Sequence, residues 1–243
     1  MDPAAIRARL LCALDTMERS VAFGLADKLK GEVGGIKLGL EFVTAHGPDG
    51  VAALAESGLP IFLDLKFNDI PNTVAGAVRA AGRMKPFMLS VHALGGPAML
   101  RAAMAAAQRL SNEGVKRPKV VAVTVLTSMD EEDLAALGMG GTVGEQALRL
   151  AALAQECGVD GVVCSAREIE RLRRECGHDF LLVVPGIRPA WSSADDQKRI
   201  VTPAEAVALG ADHIVVGRPI TRADDPAEAA RRILRETVSR VPN

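Results

Sequence analysis

Tyrosine is absent from the 243 residues, tryptophan occurs once, and aromatic residues make up 3% of the chain. So few rings argue against stacking platforms for single-stranded bases. An excess of charge of one sign is missing too. The 29 Lys and Arg offset 30 Asp and Glu to leave −1, which provides no electrostatic footprint for nucleic acid. A chain this neutral and 49% apolar is not a disordered one. Cys12, Cys157, Cys164 and Cys176 form no CxxC pair and have no neighbouring His cluster. They read as reduced thiols, mostly in the core of a cytoplasmic protein, and no metal site is expected. Long hydrophobic runs are lacking as well. The longest uncharged stretch, Pro86 to Leu100, falls short of the roughly 18 apolar residues of a membrane span and contains His92, Gly95 and Gly96. Met1-Asp2-Pro3 has no basic region leading into an apolar run, so no secretory signal is expected. No Pro/Ser-rich linker or low-complexity tract divides the chain, so residues 1–243 are expected to form one domain.

What is there is alternation. Eight short aliphatic runs read as strands: Leu11–Asp15, Gly35–Leu38, Ile61–Lys66, Met88–His92, Val120–Thr127, Gly161–Cys164, Leu181–Pro185 and His213–Val216. Amphipathic segments lie between them, among them Arg19–Gly31, Asp49–Ser57, Thr73–Met84, Met99–Leu110, Gly144–Glu156 and Ala166–Cys176. Asp225-Pro226 starts a last helix, with an acid at the N-cap and Pro in the first turn. Strands buried on both faces imply a parallel sheet covered by helices. Eight such units with no Gly-rich dinucleotide fingerprint after the first strand predict an α/β fold, a single closed (β/α)8 barrel. That fold puts active residues at the carboxyl ends of the strands and phosphate near strands seven and eight.

The richest segment is Ile61-Phe-Leu-Asp64-Leu-Lys66-Phe-Asn-Asp69-Ile-Pro-Asn-Thr73. Alternation places Asp64 and Lys66 on the inner face of strand three, with Leu63 and Leu65 facing the helices. Burying such a pair is expensive unless it is an ion pair fixing the barrel mouth or does chemistry. Asp69, just beyond the strand, adds a second acid at the catalytic end. Lys37 is flanked by aliphatic residues on strand two and reads as inward. Asp15 at the end of strand one either caps a following helix or joins the same cluster.

A separate signal is Val216-Gly217-Arg218-Pro219-Ile220. Gly217 would let the backbone approach an anion and Arg218 would supply a bidentate fork, the alternative being a tight turn with a solvated Arg. Arg188, after strand seven, stands beside it in the predicted topology. Gly138–Gly144 lacks the GxGxxG spacing and reads as a loop. His46, His178 and His213 show no metal spacing, and His92 reads as a packed polar residue.

Asp64-x-Lys66-x-x-Asp69-Ile-Pro-Asn-Thr73 resembles the signature of the orotidine 5′-phosphate decarboxylase family. The resemblance continues through Ala13-Leu-Asp15, Lys37-Leu-Gly39, Val91-His92-Ala93, Val123–Met129, Asp160–Ser165, Pro185–Pro189 and Val216–Ile220. It implies cofactor-free, metal-free decarboxylation of a nucleotide to UMP and CO2, with Lys66 protonating C6 of the pyrimidine. By the family pattern Lys37, Asp64 and Asp69 complete the catalytic array, Asp69 coming from the other subunit of a homodimer. Asp15 and Lys37 would hold ribose hydroxyls, Thr73 would reach the neighbouring chain's ligand, and Thr127 would contact the pyrimidine edge. Arg188, Gln197, Gly217 and Arg218 would hold the phosphate. The rivals are a Mg²⁺-dependent sugar-phosphate decarboxylase or synthase on the same barrel, and a non-catalytic barrel that binds a phosphorylated ligand. The first needs an acidic ligand where Lys37 stands.

Overall fold

In the computed structural model, which describes residues 2–192 and 201–240, eight parallel strands close into a barrel in sequence order. They are β1 (Leu10–Ala13), β2 (Gly35–Leu38), β3 (Ile61–Phe67), β4 (Met88–His92), β5 (Lys119–Val123), β6 (Gly161–Val163), β7 (Leu181–Val184) and β8 (His213–Val216). Closure is made between the first and last strands, where Leu10, Leu11 and Cys12 lie opposite Ile214, Val215 and Val216. The helices are α1 (Pro3–Arg9), α2 (Arg19–Leu29), α3 (Leu40–Ala55), α4 (Pro71–Gly82), α5 (Gly96–Asn112), α6 (Glu131–Ala136), α7 (Val143–Glu156), α8 (Ile169–Cys176), α9 (Pro203–Leu209), α10 (Arg218–Thr221) and α11 (Pro226–Arg240). Among the described residues, no helix is long and apolar enough to cross a membrane.

The two-residue period of a strand divides the core into two layers. Leu11, Ala13, Phe62, Val123, Val163 and Val215 fill the barrel. Their neighbours Cys12, Leu63, Val162 and Ile214 face outward into the layer shared with the helices. Each fully buried Leu, Val or Phe contributes about 1.5–3 kcal/mol, so a strand buried on both faces tolerates polar residues only at its ends. Asp64 and Ser90 are the buried exceptions inside strands, and they are bonded to each other. All four cysteines are buried, and none is bonded to another.

Several boundaries differ from the sequence reading. β1 stops at Ala13 and β5 at Val123, so Asp15 and Thr127 sit in the loops that follow. The segment expected as a helix from Asp49 is the second half of α3, which is broken where Gly47 turns to φ 59° and Pro48 removes a backbone donor. Three of the short helices, α1, α6 and α9, were not expected. α1 is capped by the Asp2 carboxylate, which accepts from Ala4 N at 3.2 Å, and buries Ile6. α6 and α9 start on reciprocal caps, Asp130 with Asp133 and Thr202 with Glu205. α10 is a single turn begun by Arg218 itself. Gly138–Gly141 form the connection between α6 and α7.

Candidate active site

At the carboxyl ends of β1, β2 and β3 four charges form a chain. Lys37 Nζ donates to Asp15 Oδ1 at 3.1 Å and lies 3.8 Å from Asp64 Oδ2. Lys66 Nζ donates to the same Asp64 Oδ2 at 2.8 Å. Asp64 is buried, with its side chain 11% exposed, whereas Lys66 is 31% exposed and reaches the cavity. A carboxylate this deep is tolerable because two ammonium groups share one of its oxygens. Gly39 makes room for the arrangement, since a Cβ there would stand 3.1 Å from Lys37 Nζ and 3.3 Å from Asp15 Oδ1.

Strand alternation predicted the inward face of Asp64 and Lys66, but it did not predict the backbone. Lys66 adopts φ 52°, in the left-handed region that side-chain-bearing residues seldom enter. The register explains how. Leu63 pairs with Leu89 and Phe67 with Val91, so four steps along β3 are matched by two along β4. The surplus bulges over Ser90, as bulges beside active sites often re-aim a side chain. Ser90 Oγ accepts from Lys66 N at 2.9 Å and donates to Asp64 Oδ1 at 2.8 Å.

The cavity is about 300 Å³. Its lining combines the charged Asp15, Lys37, Asp64 and Lys66, the apolar Ala13, Phe62, Val123 and Val215, and Arg188, Gly217 and Arg218 from the segments after β7 and β8. Thr127 lines it as well. Arg188 is buried and Arg218 partly so. Arg188 N donates to Val201 O at 3.1 Å. Trp191 Nε1 donates to Glu236 Oε2 at 3.2 Å, and Arg232 lies 4.6 Å over the Trp191 ring. A Cβ on Gly217 would meet Ala13 at ordinary contact distance, its Cβ at 3.5 Å and its carbonyl oxygen at 3.9 Å, so glycine keeps the wall bare. Cys164 also lines the cavity, as a neutral thiol, because burial pushes it far above the ordinary thiol range.

Eight of the eleven residues expected at the site therefore surround one cavity: Asp15, Lys37, Asp64, Lys66, Thr127, Arg188, Gly217 and Arg218. Asp69 and Thr73 do not line it. Asp69 is exposed, its Oδ1 accepting from Ile70 N at 2.6 Å, and Thr73 is exposed in the first turn of α4. Gln197 lies outside the described residues. His92 ends β4, where burial and then the Lys66 charge lower its pKa from the usual imidazole value, and its Nδ1 accepts from Leu94 N at 3.3 Å. Sequence reasoning missed Ser90. A signal existed: alternation on β4 turns Met88, Ser90 and His92 inward, and a small hydroxyl facing into a barrel beside a buried acid needs a partner.

Comparison with known proteins matches residues 8–233 to the family described as Orotidine 5′-phosphate decarboxylase / HUMPS family. A protein of Rhodospirillum rubrum named orotidine 5′-phosphate decarboxylase is 58% identical over 228 residues, covering 93% of this chain and 92% of that one. One of the same name from Paramagnetospirillum magneticum is 55% identical over 225 residues, covering 92% and 96%. Among solved structures, orotidine 5′-phosphate decarboxylase from Lactobacillus acidophilus superposes with a TM-score of 0.83 at 37% identity, covering 94% of this chain and 98% of that one. An uncharacterized conserved protein from Geobacillus kaustophilus does so with 0.81 at 38% identity, covering 94% and 99%.

Proposed function

The chain belongs to the orotidine 5′-phosphate decarboxylase / HUMPS family, and from that premise we propose that it converts orotidine 5′-phosphate to UMP and CO2, the last step of de novo UMP synthesis, without cofactor or metal. Residues 1–243 act as one catalytic domain in the cytoplasm. The observation that carries the reading is the Lys37–Asp64–Lys66 array sharing one cavity with Arg188 and Arg218. A nucleoside monophosphate carries an anion at one end and its reacting C6 at the other, and one cavity offers cationic groups for both.

When the C6–carboxylate bond breaks, its electron pair stays on C6 in the plane of the ring and cannot delocalise into a carbonyl. Stabilisation must then come from a fixed cation. Two unit charges about 4 Å apart attract by roughly 4 kcal/mol at an effective dielectric of 20, and more where water is excluded. Lys66 supplies that field and then passes a proton from Nζ to C6, recovering it from solvent. Asp64 holds the ammonium in place through its Oδ2. Asp15 and Lys37 hold ribose hydroxyls, Thr127 the pyrimidine edge, and Arg188, Gln197, Gly217 and Arg218 the phosphate. Phosphate binding far from C6 provides remote binding energy for the transition state.

The working unit is a homodimer in which Asp69 and Thr73 complete the partner's site. Neither lines its own chain's cavity. Met17, Val21, Leu40, Ile70 and Leu94 are 65%, 48%, 59%, 68% and 47% exposed, on the segments that follow β1 to β4. Apolar side chains gathered on one side mark a protein interface.

The experiment is direct. Loss of absorbance on orotidine 5′-phosphate is followed with and without EDTA, and turnover indifferent to the chelator is expected. Chelator-sensitive turnover restored by Mg²⁺ would favour the sugar-phosphate alternative, and binding without turnover would favour the non-catalytic one.

A further inference from the structure

We infer that Ser90 is a positioning residue for the proton donor. It fixes Lys66 at both ends, through the lysine's backbone and through Asp64. The inference rests on the decarboxylase reading and deepens it.

The bulge in β3 is where the argument starts. With four steps of β3 set against two of β4, Lys66 lies in the surplus that has no paired residue on β4. A buried amide left without a partner costs on the order of 1–3 kcal/mol, and the left-handed φ of Lys66 adds a cost of its own. Ser90 Oγ takes the Lys66 N–H at 2.9 Å. The hydroxyl has a single proton, and that proton goes to Asp64 Oδ1 at 2.8 Å, which leaves its lone pairs for the lysine amide. Asp64 then presents its other oxygen to Lys66 Nζ at 2.8 Å. A closed ring results: lysine amide to serine, serine to aspartate, aspartate to lysine ammonium. The serine is fully buried, so no water competes for either bond.

The ring has a consequence for each oxygen of Asp64. Oδ1 is committed to Ser90 and Oδ2 to Lys66 and Lys37, so the carboxylate cannot rotate about its Cβ–Cγ bond without breaking a contact. In a regular strand the Lys66 side chain would leave the backbone in another direction. The bulge that re-aims it persists because Ser90 receives the amide it frees. An alanine at 90 removes both bonds with the loss of one oxygen atom, whereas a threonine keeps the hydroxyl.

The test compares the wild type with Ser90→Ala and Ser90→Thr. Misplacing a catalytic group by around an ångström costs up to about a hundredfold, so kcat of Ser90→Ala should fall by about tenfold or more. KM for orotidine 5′-phosphate and inhibition by UMP should stay within about threefold, because the phosphate and ribose contacts are elsewhere. Ser90→Thr should recover most of the lost kcat. In an Asp64→Asn background, itself impaired, Ser90→Ala should cost much less than in the wild type, since the serine acts through that carboxylate. If Ser90→Ala does not fold, Ser90→Cys, with its weak thiol donor, should show the same selective loss of kcat. Wild-type kcat in Ser90→Ala or Ser90→Cys overturns the inference. So does a loss of UMP binding parallel to the loss of kcat, or full additivity with Asp64→Asn. A wild type that does not decarboxylate orotidine 5′-phosphate overturns the functional reading, and the inference falls with it.

Discussion

Trp191 is tied to Glu236 on the last helix by a 3.2 Å hydrogen bond, three residues beyond the buried Arg188. Arg232 closes the triangle, its guanidinium 4.6 Å over the indole and its Nε bonded to Glu236 Oε1 at 3.1 Å. The chain just past Arg188, a proposed phosphate ligand, is thereby held to α11. A cation–π contact of this kind contributes about 0.5–2 kcal/mol. Trp191→Ala is expected to raise KM for the phosphorylated substrate several-fold, leave kcat nearly unchanged and lower the melting midpoint by a few degrees. A fall confined to kcat would show that this anchor serves another purpose.

Arg218→Ala should weaken binding of orotidine 5′-phosphate by several kcal/mol if the phosphate is well desolvated. Turnover of the phosphate-free nucleoside should change little, because that substrate never uses the guanidinium. Equal losses on both substrates would make Arg218 structural.

The shared-site reading predicts complementation. Lys66→Ala and Asp69→Ala homodimers should each be severely impaired while remaining folded. Refolded together, half the dimers are mixed, and each mixed dimer has one site with both residues intact. Two-fold symmetry therefore predicts recovery of roughly a quarter of wild-type sites. No recovery, with heterodimers demonstrated by mass, would put Asp69 and Lys66 of one chain in the same site.

Gly39→Ala tests the space between two charges. The added methyl would sit 3.1 Å from Lys37 Nζ and 3.3 Å from Asp15 Oδ1, so the pair must give way by a few tenths of an ångström. With Gly39 at the N-cap of α3, the stability cost should be under about 1 kcal/mol, while kcat/KM falls by about tenfold. Activity equal to wild type would mean that the ion pair relaxes freely.

Glu168 gives stability a pH dependence. Burial raises its carboxyl from 4.5 to about 7, even though Ser165 N, donating to Oε2 at 2.6 Å, favours the ionised form. The folded value lies above the unfolded one, so this group's contribution is fully present below about 4.5 and is lost as pH rises through 7. Glu168→Gln removes that titration. Relative to the wild type, the variant should gain on the order of 2 kcal/mol between pH 5 and pH 8, read from denaturant midpoints at the two pH values. A difference that stays constant with pH would place Glu168 in a solvated environment.

The strands were legible because a barrel strand buries both faces, which leaves short apolar runs such as Val120–Val123 and Ile214–Val216. The Asp64/Lys66 pair was legible for the opposite reason: charges inside such a run demand an explanation. Three short helices were not. α1, α6 and α9 are too brief to show a helical period, and reciprocal caps rather than amphipathic faces define α6 and α9. Ser90 stayed hidden because its meaning depends on a register shift between β3 and β4, and alternation within one strand carries no information about its neighbour's register.

The seam between β1 and β8 gives the order of synthesis a consequence for activity. The lysines and their acids are in place on β1 to β3 early in the chain, while Arg188, Gly217 and Arg218 come from its last quarter. The two groups become neighbours only across the pairing of Leu10–Cys12 with Ile214–Val216. A nascent chain ending before His213 exposes β1 and β7 as bare edges, lacks Gly217 and Arg218, and leaves Lys66 and Arg188 with no closed wall between them. Catalytic competence therefore arrives in one step, when the eighth strand emerges and the barrel shuts.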